Sequence, residues 1–380
     1  MANEKNVAVA VKPKKDKDSL LRTERDKGQK NVILVGMDLG TNTSVMQGWH
    51  NNKELQMESD IIPTVVGLPR EGVLPGIIPS GKDRVYGNEA LNLKLHCDLK
   101  WPIKLGYVEN EEYAHELIGH VRDVINPEQD KEIWAVVGSP ANAKQDRLRE
   151  LRKIFVGHFQ RILIVPEPFL AAMGYRDEDR LSDPAYTDPI RNSLFVDIGA
   201  GTTDLCMVQG VYPTADDQIS LGMAGNDIDK TLKQGIRKRY PDAKITPTTI
   251  TRLKEQFSYV GNSMKDCVAR VAVRGKMKTI DITSQVKEAC SILIDPIIQN
   301  AEALAARCDA DAVEEMMTNL ILTGGGSLIK NLKIELEKEL RALGYESAKV
   351  HVVEDYKRLV AKGALKTAKA VRVDQWSMLM

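Results

Sequence analysis

The sequence predicts an α/β protein of two duplicated lobes around a cleft, and three observations carry that expectation. The chain has 380 residues, more than the roughly 250 to 300 at which a single core stops growing. Short apolar runs alternate with segments of helical spacing, as in α/β folds. One pattern, an apolar run ending in Asp-x-Gly and small hydroxyl residues, occurs once in each half of the chain. It reads Asp38-Leu39-Gly40-Thr41-Asn42-Thr43-Ser44 after residues 32–37, and Asp197-Ile198-Gly199-Ala200-Gly201-Thr202-Thr203-Asp204 after residues 193–196.

Residues 1–30 are rich in Lys, Arg, Asp and Glu and cannot bury enough surface to fold alone. They read as a flexible, mildly basic tail, either an arm for an acidic partner or lipid headgroups or a solvated leader. At Asn31 the texture changes to Val32-Ile33-Leu34-Val35-Gly36-Met37, the continuous run of a buried strand. Further strands are expected at 133–137 and 162–165, and a helix over Ala143 to Phe155, where Leu148, Leu151, Ile154 and Phe155 recur at helical spacing. After Gly225-Asn226-Asp227 a charged, mostly helical stretch runs to about 264. Strands at 268–273 and 278–282 follow, then a long helix from Gln285. This stretch reads as a smaller insertion in the second lobe.

Hydrophobic residues make up 43% and charged residues 28% of the chain, enough for a sizeable core. Equal counts of 53 basic and 53 acidic residues give no reason to expect nucleic-acid binding. The five cysteines are scattered without CxxC pairs, so neither zinc nor a disulfide framework is expected, and a reducing cytoplasm fits. No apolar run reaches the length of a membrane span, no signal peptide is legible, and no basic helix shows a clean apolar face. Direct membrane insertion is therefore not expected.

The chemistry sits where strands end. Gly40, Thr41, Asn42, Gly199, Gly201, Thr202 and Thr203 would let backbone amides approach an anion. Asp38 and Asp197 would repel phosphate directly, so their expected role is to hold a hydrated Mg²⁺ that bridges phosphate oxygens; each could instead cap a turn. A third strand, Leu320–Thr323, runs into Gly324-Gly325-Gly326-Ser327 and a helical stretch to Leu343. That turn would admit a nucleoside lying flat, or would merely connect strand to helix.

These three motifs, in this order, resemble the two phosphate motifs and the adenosine motif of the actin, Hsp70 and sugar-kinase superfamily over residues 31 to about 370. The resemblance implies an actin-like ATPase fold of four subdomains around a nucleotide cleft, with ATP and Mg²⁺ as cofactors. It implies lobe I at 31–167, completed by 356–380 and carrying a small subdomain at about 62–106. Lobe II would be 168–355, with its insertion at about 227–284. Glu167-Pro168-x-x-Ala171-Ala172-x-Gly174 and Gly363-Ala364 resemble the two connecting helices of the hinge. Lys254 and Glu255 resemble a pair that contacts ribose and base, although charge alone also fits a solvated helix face. Glu167 is the implied catalytic group, orienting the water that attacks the γ-phosphate, with Asp38 and Asp197 completing the catalytic set.

Within the superfamily, the stretches at 63–67, 85–91 and 101–107 are similar to the small upper subdomain of the cell-shape and magnetosome-associated actins, and those at 137–141, 166–169, 254–261 and 373–376 are most similar to the magnetosome-associated branch. The implied function is ATP-dependent polymerisation into dynamic cytoplasmic filaments that position organelles, with the homopolymer as main partner and magnetosome-associated proteins as further ones. A cell-shape or plasmid-segregation actin, a non-polymerising Hsp70-like ATPase and a small-molecule kinase are the alternatives.

Overall fold

The computed structural model describes residues 31–79, 82–104, 106–140, 143–183, 186–211, 213–262 and 266–376. The expected N-terminal tail, residues 1–30, lies outside the described residues.

Two large mixed sheets repeat one topology. In the first, β1 (Val32–Leu39) pairs antiparallel with β2 (Thr43–His50), and β2 pairs with β3 (Lys53–Glu54). On its other side β1 pairs parallel with β4 (Glu132–Ser139), which pairs parallel with β5 (Arg161–Pro166). In the second sheet, β6 (Ser193–Ile198) pairs antiparallel with β7 (Thr203–Val208), which carries β8 (Gln218–Leu221). The other side of β6 pairs parallel with β9 (Leu320–Thr323), followed by β10 (Val350–Val352). The orders β5-β4-β1-β2-β3 and β10-β9-β6-β7-β8 correspond, which is the duplication the repeated motif predicts; the first sheet adds a sixth strand, Ile61–Pro63, against β2. Central strands covered on both faces need apolar side chains on both, which is why 32–37 and 193–196 are continuous runs rather than alternating ones. Leu194, Phe195 and Val196 are all fully buried.

Four helices set the site: α1 (Glu167–Tyr175), α2 (Gly225–Arg239), α3 (Pro247–Phe257) and α4 (Tyr356–Ala370). α1 leaves β5 and α4 follows β10, and both lie between the two sheets. Their Leu170, Ala171, Leu359, Val360 and Ala364 share one core with Val32, Leu34 and Trp134 of the first sheet and Phe195, Cys206 and Ile321 of the second. The two helices cross at glycines. A Cβ on Gly363 would lie 1.8 Å from the Leu170 carbonyl oxygen, and one on Gly174 2.1 Å from that of Leu359. β1 meets α4 as closely, since a Cβ on Gly36 would lie 2.2 Å from the Ala361 oxygen.

Each large sheet is accompanied by a small one. Val66–Pro69, Val85–Tyr86 and Cys97–Lys100 form a three-stranded sheet with its own core of Val65, Val85, Ala90 and Cys97. Ala243–Lys244, Val268–Val273 and Lys276–Asp281 form another, whose core includes Ile228 and Leu232 of α2 and Ile250 of α3.

Two expected helices differ. The one from Gln285 is two helices, Thr283–Ser291 and Ile294–Ala305; Pro296 has no N–H to offer the Ile292 carbonyl, so the ladder breaks there. The one expected from Leu328 begins at Leu332. The chain before it is drawn out to pair with a distant segment, Val260 N–H donating to the Lys330 oxygen at 3.0 Å and Lys330 N–H to that of Ser258 at 3.2 Å.

Candidate functional site

Both hairpins end in the same turn. Pairing stops at Leu39 with Ser44 in one and at Ile198 with Thr203 in the other. The Gly40 N–H donates to the Thr43 oxygen at 3.1 Å, and the Gly199 N–H to the Thr202 oxygen at 2.9 Å. The remaining tip amides, at Thr41 and Asn42 and at Ala200 and Gly201, therefore lie beyond the strand ladder, in the kind of backbone concavity that binds anions.

Each tip is also tied to the segment leading into a small sheet. Thr64 N–H donates to the Asn42 oxygen at 2.9 Å, and the buried hydroxyls of Ser44 and Thr64 are hydrogen-bonded at 2.9 Å. At the second tip, Gly225 N–H donates to the Gly199 oxygen at 3.1 Å and Asn226 N–H to that of Ala200 at 2.8 Å.

Four carboxyl groups gather beneath the tips. Asp38 and Asp197 hold the same place in β1 and β6, Asp204 faces Asp197 across the β6–β7 ladder, and Glu167 opens α1. Loss of solvent, reinforced by the Asp204 charge, pushes Asp38 up to about 7. Loss of solvent also holds Asp197 well above the usual carboxylate range, with Asp38 and Asp204 adding to it. Glu167 is raised for the same reason, with Asp38 first among its charged neighbours. Crowded carboxylates of this kind disfavour their own ionisation and favour a cation among them. Among the described residues no three His, Cys, Asp or Glu side chains form a direct metal cage. Carboxylate oxygens are the kind of ligand a hard divalent cation takes.

The three-glycine turn lies against the second tip. Gly324 has φ 76°, and a Cβ there would lie 2.3 Å from Asp197 Oδ1; one on Gly326 would lie 2.1 Å from Ile198 Cγ2. Those two glycines are needed for packing. Gly325 is exposed, and a Cβ on it would meet only Tyr356 Cε2 at 3.9 Å.

Other expected site residues take local partners. The Thr203 hydroxyl donates to the Met223 oxygen at 2.8 Å, and Ser327 to that of Gly324 at 2.7 Å. Lys254 Nζ donates to the Gly225 oxygen at 2.9 Å and pairs with Asp229 at 3.1 Å, which bridges α3 to the start of α2. Glu255, next along α3, is exposed; burial pushes the Tyr356 phenol up, and the Glu255 charge adds to it. The sequence reading gave no role to Asp204, Asp229 or Tyr356. Only Asp204 carried a signal, as a carboxylate opening the otherwise apolar run Leu205 to Val208.

The sequence matches the MreB/Mbl protein family over residues 78–375. The actin-like protein MamK of Magnetospirillum gryphiswaldense is 31% identical over 373 residues, covering 95% of this chain and 98% of that protein. Among solved structures, a MamK double helical filament matches with TM-score 0.81 at 30% identity, over 90% of this chain and 100% of that one. A non-polymerising MamK mutant bound to AMPPNP matches with TM-score 0.65 at 31% identity, over 90% of this chain and 99% of that one. The chain therefore belongs to the MreB/Mbl family of actin-like proteins and is a homologue of MamK. The actin-like α/β fold expected from the paired motifs is borne out. Among the described residues no helix is long and apolar enough to cross a membrane.

Proposed function

We propose that the chain is an ATP-hydrolysing cytoskeletal actin that polymerises with Mg-ATP and whose filaments weaken after hydrolysis. The observation that carries this reading is the pair of hairpin tips of like turn above one set of crowded carboxylates, beside an open three-glycine turn. The tip amides of 40–42 and 199–202 fit the oxygens of a triphosphate. Asp38 and Asp197 would hold Mg²⁺ through water, and the ion would neutralise charge on the phosphates. Glu167, raised in pKa and opening α1 beneath the tips, would orient the attacking water. Gly324, Gly325, Gly326 and Glu255 border the nucleoside position, and Lys254 braces the second tip through Gly225.

In this reading lobe I is 31–167 with 356–380, lobe II is 168–355, and α1 and α4 form the hinge between them. Likeness to the MamK double helical filament supports a homopolymer, and likeness to an AMPPNP-bound MamK supports ATP as the nucleotide. We read these filaments as cytoplasmic and as positioning magnetosome organelles, in preference to cell-shape or plasmid-segregation roles. Electron microscopy of the purified chain tests the reading. Filaments are expected with Mg-ATP and not with EDTA, whereas monomers that hydrolyse ATP under both protein-rich and dilute conditions would favour a chaperone-like switch.

A further inference from the structure

One row across the second sheet is polar. Asp204, Asp197 and Thr323 are ladder partners on the adjacent strands β7, β6 and β9, and partners in a ladder carry their side chains on the same face. Alternation along the strands says which face. Val196 and Leu322 pack into the core shared with α2 and α3, while Phe195 and Ile321, two residues before Asp197 and Thr323, pack with α1 and α4. Asp197 and Thr323 therefore lie on the face where Glu167 opens α1. Thr323 is fully buried, and its hydroxyl has no hydrogen-bond partner among the described residues. A buried hydroxyl in that condition is rare and needs a reason. Packing supplies none, since valine has the same shape without the polar atom.

The matching place in the first sheet is filled differently. One step past Met37 and Val137, the neighbour of Asp38 is Gly138, where a Cβ would lie 2.8 Å from Glu167 Cγ. The place beside Asp38 is thus taken by Glu167, and the place beside Asp197 by the Thr323 hydroxyl. The Asp197 carboxyl leans toward that strand, because a Cβ on Gly324 would lie 2.3 Å from Asp197 Oδ1. Neighbouring strands run about 4.8 Å apart, so rotation about the Asp197 side-chain bonds brings an oxygen to the hydroxyl. We propose that Thr323 is a positioning residue for Asp197: its hydroxyl donates to the carboxylate and fixes the orientation in which that group meets a divalent cation. This rests on the reading above of Asp197 as a metal-holding group. It adds the partner that such a carboxylate needs to stay oriented.

The test measures AMPPNP binding by calorimetry, once with Mg²⁺ and once with EDTA, in the wild type, Thr323→Val and Thr323→Ser, with the protein kept below the concentration at which it pellets. Thr323→Val should weaken binding with Mg²⁺ roughly 10- to 100-fold and leave binding in EDTA within about twofold. Thr323→Ser, which keeps the hydroxyl, should bind nearly as the wild type does under both conditions. The nucleotide-free Thr323→Val protein should melt no lower than the wild type, because an unpartnered buried hydroxyl adds no stability. A lower melting temperature, or a variant that does not fold, would show that the hydroxyl already has a structural partner and would overturn the proposal. So would equal weakening with and without Mg²⁺, unchanged binding with Mg²⁺, or failure of Thr323→Ser to restore it. A wild type that binds AMPPNP equally with Mg²⁺ and with EDTA overturns the metal-holding role of Asp197, and one that binds it under neither condition overturns the ATP reading; the positioning role falls with either.

Discussion

Loss of solvent, with the charges of their neighbours adding to it, raises Asp38, Asp197 and Glu167, and this gives the ligand-free protein a definite pH response. Asp38 is raised from 3.8 to about 7. Below the ordinary carboxylate range both folded and unfolded chains hold the proton. Between that range and about 7 only the unfolded chain ionises, so stability falls as pH rises across the window and the loss is complete above it. The melting temperature of the nucleotide-free protein should therefore drop between pH 5 and 8, less steeply in Asp38→Asn and less steeply with Mg-ATP. A profile that rises over that interval would contradict the crowding of these groups. Glu167→Gln should keep ATP affinity within a few fold while phosphate release falls about 100-fold or more; unchanged release would remove Glu167 from the water-orienting role. Asp38, Asp197 and Glu167 were legible because they open or close motifs. Tyr356 and Asp229 were not, since nothing local to an ordinary helix start or helix face shows what the fold brings opposite it.

At the scale of elements, two helices, one following each sheet, pack between both. Gly174 and Gly363 let α1 and α4 touch backbone to backbone, and a Cβ on Gly363 has no room beside the Leu170 oxygen at 1.8 Å. Gly363→Ala should cost about 3 kcal/mol by overpacking, read as a lowered denaturation midpoint. An unchanged midpoint would mean that the crossing is not close. Gly363 was visible as part of a hinge motif, but Gly36 gave no sign of its purpose, because the closeness of β1 to α4 depends on residues more than 300 positions away. The same holds for the late start at Leu332, where pairing of Lys330 with Ser258 and Val260 overrides a local helical pattern. The break before Pro296 had a local cause in the sequence, yet the expected single helix from Gln285 ran through it.

At the scale of the whole molecule, duplication explains why two sheets of one order carry one turn each, and why both turns lead by hydrogen bonds to a small sheet. That symmetry was legible in the repeated Asp-x-Gly, whereas the surfaces by which copies would meet follow no motif and could not be read. A formal net charge of zero leaves no overall repulsion between copies, and a head-to-tail contact that does not close generates an open filament. The most direct test follows pelleted protein and released phosphate together over a series of protein concentrations with Mg-ATP. The account predicts no pellet below a critical concentration and a linear rise above it, with phosphate release rising at the same point and filaments decaying as ATP is spent. Phosphate release strictly proportional to protein, with no pellet at any concentration, would contradict it.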